Sequence, residues 1–424
     1  MKTLRTTPPV IHTLMPPSLL PYRQCKLSNG LEVFYLNDPT QEAFKLDFLL
    51  PMGAYQQPQP VVASTTVNLL NEGTLHHTSE EIADFFDFHG AYIDFNCGMH
   101  QSEVSLISLH KYASLTIRMV AEMIRESIFP AREVELYLRN RKQQHLVNLE
   151  KTSYLARAEF ARVLYGGLHP YANQFTLEDF DRVTPSLVQD FYRGRLAASH
   201  CRIVLSGNIS DALLQEVNQR FSSLPDHPLP EEKPIPFTPA PPGRYHVKKA
   251  DAIQSSIRVG KAGVRLLDGE YVPFQLLNVA LGGYFGSRLM SNIREDKGFT
   301  YGINSFNVNM PLGAYWHIAT DVNGEQTEAT LTEIEKEIRR LQEEKIPEEE
   351  FSLIKNYYHG EILRELDGTF AQADALKHKL HYKIDNTFYL EMMEKIYRCT
   401  PEELLLLARK QLNIEELYTV VAGK

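Results

Sequence analysis

The feature that most constrains this chain is an internal repeat. Thr184-Pro185 recurs as Thr400-Pro401, 216 positions later. Each pair lies 23 residues before a glycine, Gly207 and Gly423, and each interval reads as a helix followed by a strand. The closing segments are RIVLSGN in one copy and LYTVVAGK in the other. Phe129-Pro130 precedes a long charged helical stretch, and Ile346-Pro347 does the same 217 positions on. Gly90-Ala91-Tyr92 corresponds to Gly298-Phe299-Thr300 as a helix–glycine–strand junction. A period near 216 lies well outside the range of solenoid repeats, so it implies two similar domains rather than an array.

The rest of the chain fits that division. At 424 residues it exceeds what one ordinary core accommodates. Residues 225–243 carry eight prolines, which forbid regular helix and favour extended backbone, and are read as a linker. The domains are therefore 1–224 and 244–424, with a proline-rich arm over residues 1–22. In the first, two strands joined by an Asn29-Gly30 turn are followed by a strand over Ala43–Leu50. Helices are predicted from Val61 and, after a Thr78 or Ser79 cap, over Glu80–Phe88. Strands follow near Tyr92–Asn96 and Glu103–Ser108, then long helices over 115–128, 132–149 and 154–164. Strands cluster at each domain's start and end. The fold class is thus α+β: two tandem domains, each a mainly antiparallel sheet with helices on one face.

Composition removes several functions. A net charge of −9 argues against nucleic acid as a partner and against a membrane-surface role. No apolar run is long enough for a transmembrane helix. Prolines interrupt the apolar stretches at the N-terminus, so it does not read as a signal peptide. The four cysteines, Cys25, Cys97, Cys201 and Cys399, are dispersed and read as reduced thiols of a cytoplasmic protein.

One stretch carries chemistry: Leu281 to Ile303, LGGYFGSRLMSNIREDKGFTYGI. Its front is glycine-rich and reads as a turn built on Gly282, Gly283 and Gly286. Ser287 is the predicted N-cap of a helix over Arg288–Asp296, and Gly298 its C-terminal stop. A strand is predicted over Phe299–Asn309, placing Arg294 late in the helix and Tyr301 early in the strand, seven residues apart. Neither G-K-[ST] nor G-x-G-x-x-G is present, which disfavours a phosphate loop. The plainer reading is a tight turn feeding a packed helix, with Arg294 solvated.

This stretch closely resembles the signature in the C-terminal half of the pitrilysin/insulinase family of zinc peptidases, including bacterial processing-peptidase-like members. The resemblance extends over nearly the whole chain, because that family is also built from a duplicated α+β domain. It implies half of a clamshell whose Arg294 and Tyr301 face a peptide substrate, with Gly282, Gly283 and Gly286 letting its backbone pass close by. The family's catalytic half carries H-x-x-E-H on the first helix, followed by Gly-Thr. Counting back from Gly73-Thr74, the two ligand positions are Ser64 and Asn68, and the base position is Val67. The third ligand position falls near Gln143 or Gln144. Ser, Asn and Gln are not ordinary zinc ligands, and Val cannot take a proton.

The resemblance therefore implies a non-metal subunit. No cofactor is expected in this chain, and Zn is expected in a homologous partner that bears the intact motif. The pair would hydrolyse peptides as a heterodimer. Two alternatives stand beside it: a peptide-binding or scaffold homodimer that has lost the chemistry, and a stand-alone zinc peptidase with unusual ligands. His76-His77 with Glu80-Glu81 is a weaker metal candidate, since the pair precedes its helix. His100, His145 and His169 read as isolated packed or solvated side chains.

Overall fold

The computed structural model describes residues 18–385 and 387–424. Most of the expected proline-rich arm, residues 1–17, lies outside the described residues. The first half holds strands β1 (Tyr22–Lys26), β2 (Glu32–Asn37), β3 (Ala43–Leu50), β4 (Tyr92–Cys97), β5 (Ser102–Leu109) and β6 (Arg202–Gly207). Its helices are α1 (Val62–Asn68), α2 (Ser79–Phe88), α3 (Ala113–Glu126), α4 (Ala131–Leu149), α5 (Thr152–Tyr165), α6 (Leu177–Asp181), α7 (Pro185–Arg195) and α8 (Asp211–Phe221). The second half holds β7 (Gly243–Lys248), β8 (Gln254–Ala262), β9 (Ile303–Met310), β10 (Gly313–Asn323) and β11 (Tyr418–Gly423). Its helices are α9 (Tyr271–Asn278), α10 (Thr327–Glu343), α11 (Glu348–Glu365), α12 (Thr369–Tyr382), α13 (Phe388–Arg398) and α14 (Pro401–Gln411).

The duplication is written in the sheets. The first runs β1-β2-β6-β3-β5-β4 and the second β7-β11-β8-β10-β9. With β1 set aside, the two orders coincide when strands are matched in sequence order. Directions coincide as well. The pairs β2/β6 and β7/β11 are parallel, and every other pairing in both sheets is antiparallel. Both sheets are therefore mixed. The two Thr-Pro sites do the same work: Thr184 and Thr400 each accept a backbone N–H three residues on, with proline at the first helical position. Residues 225–242 contain no helix or strand. They run along the end of α5, where Thr238 and Ala240 donate to the carbonyls of Tyr165 and Val163 at 3.0 and 2.8 Å.

One expectation needs correcting: helices do not lie on one face only. Both faces of each sheet are covered, the second by a helix from the other half. On β3, Phe44, Leu46 and Phe48 belong to the core of the first half, while Leu49 packs with Ala373 and Leu376 of α12. On β11, Tyr418, Val420 and Ala422 pack with Ala156, Phe160 and Val163 of α5. Helices α5 and α12 are themselves repeat equivalents, Thr152 to Tyr165 against Thr369 to Tyr382. Each half thus lends the same helix to the other's sheet. This explains why β3 is buried along nearly its whole length instead of alternating.

The exchange also explains two charged residues in that strand. Lys45 and the wholly buried Asp47 point at α12, where Lys377 Nζ lies 2.9 Å from Asp47, 2.6 Å from Glu103 and 2.8 Å from Asp374. Lys45 Nζ adds contacts of 3.3 Å to Asp47 and 2.7 Å to Asp374. Paired in this way, charge can be held in an interior that would otherwise reject it.

Candidate functional site

The Arg294 segment is helical, but not as its sequence suggested. Residues 281–283 are the end of a π-helical continuation of α9, Val279–Gly283, and not a turn. A Cβ on Gly282 would stand 2.8 Å from Ser305 Cβ and 2.9 Å from Ser305 N. Glycine is thus required for this helix to close onto β9, and Gly282 is buried. None of Gly282, Gly283 and Gly286 has a positive φ. Gly283 is half-buried and Gly286 exposed.

The next helix starts at Arg288, as predicted, and widens into π-turns over Met290–Asp296. Ser287 does not cap it. Its hydroxyl is buried without a partner among the described residues, while its carbonyl accepts from Ser291 N–H at 2.9 Å and its own N–H donates to the Tyr284 carbonyl at 3.1 Å. The helix is anchored instead by tertiary contacts. Arg288 forms a two-pronged ion pair with Glu350, at 2.9 and 3.0 Å. Asn292 donates to Glu333 and Glu337 of α10. Gly298 stops the helix with φ of +64°.

β9 begins at Ile303, not at Phe299, so Tyr301 lies in the connecting loop and not in a strand. The reason is local hydrogen bonding. Thr300 Oγ1 donates to the Asp321 carbonyl at 2.8 Å and accepts from Gly302 N–H at 3.1 Å, while Thr320 Oγ1 donates to the Gly302 carbonyl at 3.0 Å. Bonds that β pairing would use are spent on a tight clamp. The clamp holds Tyr301 out into solvent at 96% exposure, with no hydrogen bond to its hydroxyl among the described residues. The Arg294 guanidinium carbon sits 4.5 Å from the centre of the Phe285 ring, which is itself exposed. Arg294 is half-buried and forms no ion pair among the described residues.

The positions counted from Gly73 lie together on α1, and their donor set does not suit zinc. Ser64 Oγ donates to the Val61 carbonyl at 3.0 Å. Asn68 Nδ2 donates to the Ser64 carbonyl at 2.7 Å and approaches Tyr137 Oη at 3.2 Å. Val67 is wholly buried in the core. Two polar side chains are thus engaged with neighbours, and the third position offers no lone pair. Among the described residues no group of three or more His, Cys, Asp or Glu could hold a metal ion.

Ser64 and Gln144 open onto a cavity of about 600 Å³ between the halves. First-half walls come from α1, α4 and α5; the far wall is the second sheet, through Arg258 on β8 and Tyr315 and His317 on β10. Arg141, Arg157 and Arg258 all line it, and no carboxylate does. His317 is drawn down to about 4, first by burial and then by the Arg258 charge. His145 is also held below the ordinary imidazole range by burial, and its Nδ1 lies 3.1 Å from Tyr154 Oη. Cys97, Gly98 and Met99, at the end of the edge strand β4, also line it.

Residues 182–358 match the family described as the peptidase M16 inactive domain. Over that segment the chain is therefore similar to a peptidase M16 inactive domain. This is the pitrilysin/insulinase type expected from the sequence, and the matched segment contains Arg294 and Tyr301. An uncharacterized zinc protease of Rickettsia bellii is 22% identical over 332 residues, 76% of this chain and 79% of that one. Another, from Bacillus subtilis, is 21% identical over 360 residues, covering 80% and 83%. The fold matches a solved peptidase M16 inactive domain from Pseudomonas fluorescens with a TM-score of 0.86, 24% identity and coverage of 95% and 98%. It matches a protease from Helicobacter pylori with a TM-score of 0.85, 15% identity and coverage of 96% and 100%.

The other histidines resolve into local roles. His77 Nδ1 meets Glu122 at 2.6 Å and His76 Nε2 meets Glu126 at 3.2 Å, both on α3 and not on the Glu80–Glu81 turn. Glu81 instead completes a capping box with Thr78. His100 is not isolated: its Nε2 lies 2.6 Å from Tyr171 Oη, in an aromatic cluster with Tyr55. The sequence reading missed Phe285 under Arg294 and the arginines of the cavity. A signal for Arg258 existed, since an arginine stands among the apolar and small residues at the middle of the strand QSSIRVGKA.

Proposed function

We propose that this chain is the non-metal subunit of a zinc metallo-endopeptidase, working with a homologous partner that carries the intact zinc motif. The observation that carries the reading is Tyr301. A tyrosine that merely packs would be buried, and a merely tolerated one would sit on a loose loop. This one is almost fully exposed on a loop clamped by Thr300 and Thr320. That is how a phenol is presented to something outside the chain. In the assembly the partner supplies the metal and its water. This chain supplies the Tyr301 hydroxyl, which donates to a peptide carbonyl oxygen as it becomes an oxyanion. Arg294, pre-oriented on Phe285, holds a neighbouring carbonyl with its planar fork.

The ligand positions support the division of labour, because Ser64, Val67 and Asn68 have been absorbed into helix and core packing. No helix among the described residues is long and apolar enough to cross a membrane. We place the assembly in the cytoplasm, in keeping with four free thiols.

The test is peptide hydrolysis by the reconstituted pair. Tyr301→Phe removes a hydroxyl and almost no volume, so melting is unchanged. kcat falls roughly 10²–10³-fold with little change in KM, since the lost bond forms mainly in the transition state. Arg294→Lys is also damaging, because an ammonium cannot reproduce the fork. Unchanged kcat and KM in both variants, with partner binding intact, would overturn the catalytic role and leave a scaffold.

A further inference from the structure

The exchanged helices make two equivalent interfaces, and their charges are inverted. Asp47 pairs in register with Val204 of β6, and Arg258 with Val420 of β11, so the two occupy equivalent positions 216 apart in their central partners. By the same registers Leu49 matches Gly260, which makes Glu103 on β5 the equivalent of His317 on β10. On the exchanged helices, Asp374 of α12 corresponds to Arg157 of α5, and Lys377 to Phe160. One interface therefore holds Asp47, Glu103 and Asp374, with Lys377 and Lys45 built in to neutralise them. The other holds Arg258, His317 and Arg157, and where the lysine would have its counterpart there is a phenylalanine.

Among the described residues no carboxylate forms an ion pair with the arginines of the second interface, Arg141, Arg157 and Arg258. Asp321, on the same face of β10 as His317, attracts Arg258 from beyond ion-pair distance. Where the first interface is packed shut, the second opens into the cavity of about 600 Å³. A chain with 53 acidic and 44 basic residues leaves three arginines facing that cavity without one carboxylate. Arg141 and Arg157 are exposed, but Arg258 is half-buried, and a guanidinium so placed is costly unless an anion completes it.

We propose that this cavity binds a carboxylate carried by an extended peptide. The anion takes the place that Lys377 takes, with reversed sign, in the equivalent interface. Arg258 and Arg157 hold it through charge-assisted hydrogen bonds. The volume and the aromatic walls, Phe160, Phe175 and Tyr154, fit a side chain or chain end and exceed what a bare inorganic ion fills. Cys97 at the end of β4 lines the cavity, and the outer edge of β4 has no strand partner among the described residues, so a peptide added along that edge would run toward the arginines. This rests on the peptide-binding reading above but involves neither Tyr301 nor a partner chain.

The experiment uses the full chain alone and fluorescence anisotropy of four labelled hexapeptides of one backbone sequence. One carries an internal Glu and an amidated end, one an internal Gln and a free C-terminal carboxylate, one both carboxylates and one neither. The expected result is binding about tenfold or more tighter for at least one carboxylate-bearing peptide than for the neutral one, weakened by salt. The first two peptides tell a side-chain carboxylate from a chain terminus. The preference disappears in Arg258→Met and in Arg157→Gln, the latter an exposed position where folding is not at stake. Equal binding of all four peptides, no binding, or a preference that survives both substitutions overturns the proposal. Inorganic phosphate that binds as tightly as the peptides overturns the peptide assignment. Because no hydrolysis is measured, failure here leaves the Tyr301 test standing, and failure there leaves this one.

Discussion

Replacing Lys377 with methionine tests the idea that the exchanged helix α12 is locked onto the first sheet by charge. The ammonium contacts three carboxylates, at 2.9 Å to Asp47, 2.6 Å to Glu103 and 2.8 Å to Asp374. Methionine keeps most of the apolar stem, so lost packing is small. Removing one partner of a buried ion pair costs roughly 3–5 kcal/mol, because the other charge stays buried. Lys45 remains beside Asp47 and Asp374, and Ser105 still donates to Asp47, which puts the cost near the lower end, about 3 kcal/mol. For a unit of this size that is a fall in Tm of about 6–12 °C, read by circular dichroism at pH 7. The pH dependence has a definite sign. Burial, then Asp47, already hold Glu103 above the ordinary carboxyl range, with Lys377 opposing them. Without Lys377 the folded pKa rises further above its unfolded value of about 4.3. A carboxyl raised in this way costs stability where it is ionised, and the cost vanishes as pH falls toward the unfolded value. Lys377 itself is raised, despite burial, by the charges of Asp47 and Glu103, so its own titration lies above about 10.4 and adds no step of its own in the acid range. The deficit should therefore shrink between pH 7 and pH 5. A Tm within about 2 °C of the parent at pH 7 would refute the reasoning, as would a deficit that grows on acidification.

Gly282→Ala should destabilise the chain by about 1–3 kcal/mol, because the new methyl meets the backbone of Ser305, which cannot step aside. Unchanged melting with weakened peptide binding would restore Gly282 to the substrate surface. The purified chain should hold no stoichiometric zinc at the α1 positions; one tightly bound zinc per chain, lost on Asn68→Ala, would reverse the account of Ser64, Val67 and Asn68. The effect of Tyr301→Phe on kcat and the carboxylate preference of the arginine cavity complete the set.

The sequence by itself determined the two-domain α+β architecture and its repeat. Those rest on local rules that act wherever the residues occur: a threonine caps and a proline starts a helix at 184–185 and again at 400–401, and alternation marks Ala43–Leu50 as a strand. It also exposed the altered α1 positions, since a missing ligand type is missing whatever the fold. It went wrong where distant contacts overrule local preference. Ser287 has a capping residue's chemistry, yet Arg288–Glu350 and the Asn292 contacts fix its helix and leave the hydroxyl idle. Residues 299–302 alternate like a strand, yet the Thr300 and Thr320 hydroxyls take their hydrogen bonds. Gly282 reads in the sequence as room for a ligand, and the structure shows that it also makes room for β9. The exchange of α5 and α12 was invisible because a helix's sequence does not specify which sheet it covers. Only the tertiary structure decided that, and with it the placing of Lys377 against buried acids and of Arg157 against Arg258 across a cavity. Charges far apart in sequence acquire meaning only when packing removes the water between them.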